Sequence, residues 1–362
     1  MHRLSTIVAS IAAIAAIVTL MLATHVSAQV SQVNQTIVTQ STPGHGLPLN
    51  FSVSGNPIHI FPLAEQVRAL GAQNNGGTPP LIYHGGPVML TTTVYAIYWA
   101  PPHLQDGHAT SLSAAYQGVQ NTMFKEYFGH SISTNNTQYY QGSSPKKYIK
   151  GTGSFGGSYV DTSLYPGSHC FDSSSALTNG NNCISDADLQ NEIKKVMTLK
   201  GWTGGLNKIF MLFTSSDEGQ CAGTGSCSYV QYCAYHSSFV NGSGQTVIYG
   251  NEPYGDNNAC QIAGAPSPNG NPAADTAATA ASHELTEAIT DPLGTGWWDS
   301  SGYEIGDECA YYYGFAGYLS GKADELWDGH PFFLQTEYSN VLQNWGIDVV
   351  NFPGCFNAGP DL

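Results

Sequence analysis

Eight cysteines constrain this chain more than any other feature: Cys170, Cys183, Cys221, Cys227, Cys233, Cys260, Cys309 and Cys355. The N-terminus supplies their compartment. Met1-His2-Arg3 is a short positive start, residues 7–22 are almost wholly apolar, and Val26-Ser27-Ala28 offers small residues for cleavage. This reads as a secretory signal over 1–28; the apolar run is short for a membrane span of roughly 20 residues. In an exported chain an even cysteine count reads as disulfides. The nearest-neighbour expectation is 170–183, 221–227, 233–260 and 309–355. A thiolate zinc site is the alternative, but the spacings from Cys221 to Cys260 lack the C-x2-C knuckle.

The chain has 362 residues, 41% hydrophobic and 11% aromatic, enough for a substantial core. Charged residues make up only 10%, against a usual figure of roughly 25%. Low charge with many aromatics is the opposite of a disordered composition. Eleven Lys+Arg against 26 Asp+Glu give −15, so no basic patch can be assembled. That argues against nucleic-acid partners and against docking to anionic lipid. No membrane association is expected once the signal is removed.

Residues 29–80 are rich in polar residues, Gly and Pro, with one apolar patch at Ile58-His59-Ile60-Phe61-Pro62-Leu63. They read as a flexible arm or a prosegment. A single globular domain is expected over 81–362. Its predicted strands include 94–100, 208–214 and 246–249, and its predicted helices 111–128, one starting at Ser185, and 273–290. Asp291-Pro292 should end the last helix, because a residue before proline avoids the α region. The strand at 246–250 precedes that helix, where an edge strand that pairs with substrate would lie by analogy with zincin-type enzymes.

That helix carries the chemistry. His283 and Glu287 are four residues apart, so both project from one face and can meet one metal ion. Glu284 lies about 100° around the helix, placed to hold a metal-bound water without ligating. This is the geometry of the H-E-x-x-H peptidase helix with Glu as the second ligand. A third ligand must come from Asp291, Glu304 or Asp307; we favour Asp307, with Glu304 next. Asp299, Glu304 and Asp307 would equally suit a structural calcium ion. Acids at a helix C-terminus oppose its dipole, so a merely solvated helix end is a poor account of them.

Other residues read more plainly. His236, in a cysteine-dense stretch, reads as a hydrogen-bonded loop residue, with ligand or transition-state donor as the alternative. His84 and His330 read as turn residues. Trp297-Trp298 and Tyr311-Tyr312-Tyr313 read as packing around the site region, with a substrate cleft as the alternative. No G-x-S-x-G elbow supports serine catalysis.

An ordered series of motifs carries a resemblance. It runs Tyr83-His84-Gly85-Gly86-Pro87-Val88-Met89, Val94-Tyr95-x-Ile97-Tyr98-Trp99, Cys233-Ala234-Tyr235-His236, His283-Glu284-Leu285-x-Glu287-Ala288-x-Thr290-Asp291-Pro292, Gly302-Tyr303-Glu304-Ile305-Gly306-Asp307-x-Cys309 and Gln335-Thr336-Glu337-Tyr338-Ser339-Asn340. Over residues 81–356 the chain resembles the microbial branch of the Exordium-like (phosphate-induced protein) family. Plant members of that family are secreted and associated with the cell wall. They keep counterparts of Glu304 and Cys309 but lack those of His283, Glu284, Glu287 and Asp307. The resemblance therefore implies that Asp307 belongs with the H-E-x-x-E set and that Glu304 is structural.

The expectation is a mixed α/β fold: a twisted mixed sheet with flanking helices, a zincin-like active-site helix, and a loop-rich, disulfide-bonded C-terminal part. The leading function is a secreted zinc-dependent peptidase acting on a peptide or protein. Glu284 would be the general base, and His283, Glu287 and Asp307 the ligands. The rivals are a non-catalytic extracellular protein that binds cell-wall polymer, and a glycosidase with paired carboxylates.

Overall fold

Alternate residues of the central strands feed two separate cores, and this alternation organises the fold. The computed structural model describes residues 50–53, 56–71, 79–172, 181–223, 226–256, 258–261, 264–314, 321–345 and 354–356. The expected signal sequence and residues 29–49 lie outside these. Seven strands form the main sheet: β1 (Asn50–Val53), β2 (Asn56–Phe61), β3 (Thr92–Trp99), β4 (Gly153–Asp161), β5 (Lys208–Thr214), β6 (Ala234–Val240) and β7 (Thr246–Glu252). Their order is β1-β2-β6-β7-β5-β3-β4. The pairs from β1 to β7 are antiparallel, and those from β7 through β5 and β3 to β4 are parallel. The fold is thus mixed α/β with a twisted mixed sheet.

Helices cover both faces. On one face Val94, Ala96, Tyr98, Ile209, Met211, Phe213 and Ile248 pack with α1 (Ala114–Glu126) and α3 (Pro272–Thr290). On the other, Ile97, Trp99, Phe210, Leu212, Val247 and Tyr249 pack with Leu189, Ile193 and Val196 of α2 (Asp186–Lys200). Each fully buried Ile, Leu or Phe stabilises the fold by about 2 kcal/mol.

Local chemistry sets the helix ends. Ser185 accepts from Asp188 N, and the Asp188 carboxylate accepts from Ser185 N, a capping box. Gly201 closes α2 at φ 67°. Asn271 caps α3, Pro272 sits in its first turn, and Asp291 ends it. The helix is buried along nearly its whole length. Its alanines let it lie close beneath β2, β6 and β7 and against α1.

Two expectations are corrected. The 246–252 strand is internal, because it pairs antiparallel with β6 on one side and parallel with β5 on the other. His236 lies in a strand and not in a loop. Within 29–80, Ile58 and Ile60 of β2 fill the core that Tyr235 and Phe239 share, which builds this strand into the sheet.

The four disulfides pair as expected: Cys170–Cys183, Cys221–Cys227, Cys233–Cys260 and Cys309–Cys355. The first two tie the small sheet formed by residues 183–185, 219–223 and 226–227. The last joins the segment bearing Asp307 to the strand Cys355–Phe356. Such bonds fit an extracellular setting. Among the described residues, no helix is long and apolar enough to cross a membrane.

Candidate metal centre

The last turns of α3 place His283 Nε2 3.1 Å from Glu287 Oε1, as their spacing requires. The segment after the helix folds back through a short turn at Asp307–Cys309. Asp307 N donates to Glu287 Oε1 at 3.1 Å, and Asp307 Oδ2 accepts from Glu304 N at 3.0 Å. These bonds leave Asp307 Oδ1 3.7 Å from His283 Nε2. Gly306 passes directly over the imidazole, where a Cβ would lie 2.5 Å from Nδ1.

The ligand atoms of His283, Glu287 and Asp307 fall within 4.8 Å of one another. Tetrahedral donors at roughly 2.0–2.1 Å from a metal stand about 3.3 Å apart. The separations of 3.1 and 3.7 Å bracket that value. His283 Nε2 and Asp307 Oδ1 have no hydrogen-bond partner although both are buried. The donor set and its orphaned atoms fit a dication.

Strand β6 brings His236 to the same place. Its Nδ1 lies 3.0 Å from Glu284 Oε2 and 3.6 Å from Glu287 Oε2, and its Nε2 lies 3.6 Å from Glu304 Oε2. From β2, His59 Nδ1 comes within 2.5 Å of Glu304 Oε1. Phe61 packs its ring 4.4 Å from that of His283. The amide of Gln335 sits 2.8 Å from His283 Nδ1. The amide nitrogen is the atom placed there, donating also to Gly306 O at 3.0 Å while the amide oxygen accepts from Tyr311 N, an arrangement that leaves the proton on His283 Nε2; turning the amide over would fix Nδ1–H and free Nε2 for a metal.

Five of the six residues singled out around the helix converge: His283, Glu284, Glu287, Glu304 and Asp307. Glu304 is at the centre rather than in a purely structural place. Asp291 is spent otherwise: its Oδ1 accepts from Thr295 N and Gly296 N at 2.7 Å each and shapes the turn that ends the helix. Asp299 caps its own loop through Ser301 N and Tyr303 N. His84 stacks on Trp298, and His330 pairs with Glu126 at the surface. Trp297 is buried among Tyr83, Tyr139 and Tyr140.

Sequence reasoning missed His59 and undervalued His236. The only signal for His59 was a polar residue alternating with Ile58 and Ile60, since strand neighbours point to opposite faces.

The centre is sealed. His283, Glu284, Glu287 and Glu304 are 0% exposed. Burial raises the carboxyls of Glu284, Glu287, Glu304 and Asp307 well above the usual range, and mutual repulsion adds to it. Burial lowers His283 and His59 to about 4 and pushes His236 well down. The imidazoles are therefore neutral, which is the ligating form. Among the described residues no lysine or arginine pairs with these carboxyls. Imidazole nitrogens mixed with carboxylates suit a first-row dication better than calcium, which prefers oxygen alone.

No protein-family model matches the chain, and no curated protein or solved structure does.

Proposed function

We propose that the chain is a secreted metal-dependent peptidase, with zinc the best-suited metal. The observation that carries this reading is the convergence of His283 Nε2, Glu287 Oε1 and Asp307 Oδ1, with the Glu284 carboxyl beside them. A bound dication would polarise a carbonyl and lower the pKa of a water toward about 7. Glu284 takes the proton of the attacking water and returns it to the leaving amine. His236 Nδ1 lies 3.0 Å from Glu284 Oε2 and would hold that carboxyl in place. Gln335, with its amide oxygen turned to Nδ1, would set the ligating tautomer of His283.

The covering of the site by β2 means that substrate entry requires that strand, or the loop after α3, to shift. The same closure favours a second reading: structural zinc sites are closed, whereas catalytic ones keep an open position. On that reading the protein is a non-catalytic extracellular protein of the Exordium-like type that associates with wall polymer.

Metal content and peptide-library hydrolysis, measured on wild type and Glu284→Gln, separate the two. Hydrolysis lost with metal retained supports the peptidase. Bound metal without turnover in wild type supports the wall protein.

A further inference from the structure

We propose that His59, His236 and Glu304 hold a second metal ion, of the same first-row dication class, apart from the one assigned to His283, Glu287 and Asp307. The two sets share no residue. The second draws one ligand from β2, one from β6 and one from the segment after α3. Their ligand atoms lie within 4.8 Å of one another. His59 and His236 are 5% and 1% exposed, and Glu304 is fully enclosed.

Two observations support this site. First, His59 Nδ1 lies 2.5 Å from Glu304 Oε1 in contact but out of hydrogen-bond geometry, and His59 Nε2 and Glu304 Oε2 are buried without a well-formed hydrogen bond. Buried polar atoms aimed at one another without satisfaction call for a shared partner. Second, His236 is poised as a ligand. Its Nδ1 can donate to Glu284 Oε2 at 3.0 Å, which leaves Nε2, 3.6 Å from Glu304 Oε2 and 3.4 Å from the Asp291 carbonyl, free of its proton to ligate. A carboxylate behind a ligating imidazole fixes its tautomer and orientation. Two nitrogens and one carboxylate are a donor set for zinc and its first-row neighbours.

This inference does not depend on peptidase activity. The test is elemental analysis of the folded full chain after dialysis against metal-free buffer, with wild type compared with His59→Ala, Glu304→Gln and His283→Ala. About two ions per chain are expected in wild type and about one in each variant. Wild type with one ion, kept in His59→Ala and Glu304→Gln but lost in His283→Ala, overturns the second site and leaves the helix site standing. An ion lost in Glu304→Gln but kept in His283→Ala upholds the second site. If wild type holds a single ion, that result also removes the metal from the proposed peptidase set. Glu304→Gln preserves side-chain shape, so it reads the site even if His59→Ala fails to fold. Cobalt titration of metal-free protein gives an independent count: a visible spectrum that loses one equivalent in Glu304→Gln relative to wild type supports the proposal, and a saturation point unchanged in Glu304→Gln overturns it.

Discussion

His59 and His236 stand directly opposite one another across the antiparallel pair of β2 and β6, with their rings stacked 4.8 Å apart. Cross-strand neighbours share one face of a sheet, so both imidazoles point toward α3. Strand β2 thus becomes part of the candidate metal centre.

Glu284→Gln should keep the metal and lose catalysis. The amide preserves the shape of the side chain but cannot accept the proton. Peptide hydrolysis should fall by about 10²–10⁴-fold in kcat while metal content is unchanged. Parallel kinetics and elemental analysis check this.

Gly306→Ala should displace His283. The added Cβ would meet the ring at 2.5 Å from Nδ1 and 2.9 Å from Cγ, and the ring is packed against Phe61. Overpacking of this kind costs about 1–3 kcal/mol. Urea unfolding should show that loss, and metal occupancy of the helix site should drop with it.

Gln335→Ala should weaken metal binding without removing a ligand. The amide lies against His283 Nδ1 and also donates to Gly306 O at 3.0 Å. Loss of such an orienting partner typically costs about 10–100-fold in affinity. Competition with a chromophoric chelator measures it.

The metal-free chain should lose stability as pH rises above 6.5. Burial raises Glu218 to about 8, Asp324 to about 7 and Asp291 to about 6, and it raises Glu284, Glu287 and Glu304 as well. A carboxyl raised on folding binds its proton more tightly in the native state. Its stabilisation is complete below the unfolded value of about 4–4.5 and is lost as pH rises through the folded value. Thermal melts in chelator should therefore show Tm falling from pH 6.5 to pH 8, above the range where the buried imidazoles of His59 and His283, lowered to about 4, oppose the carboxyls. Added zinc should restore Tm most strongly at the higher pH, because a bound dication favours the ionised carboxylates.

Much of this was legible locally. Pro272 and Pro292 bracket α3, the run 208–214 is apolar enough to declare a buried strand, and the cysteines pair consecutively along the sequence. His283, Glu287 and Asp307 could be grouped because helix periodicity and a short return segment bring them together. His59 could not, since nothing local says that residues 56–61 pair with 234–237. That pairing depends on long-range core formation by Ile58 and Ile60, and the polar composition of the surrounding stretch conceals it.

The centre draws on residue 59 and on residues 283–307, so it can close only when nearly the whole chain has emerged and folded. A chain exported N-terminus first would present His59 early and Asp307 late. Metal uptake would then report completed folding, and a truncated or misfolded copy would lack a full ligand set.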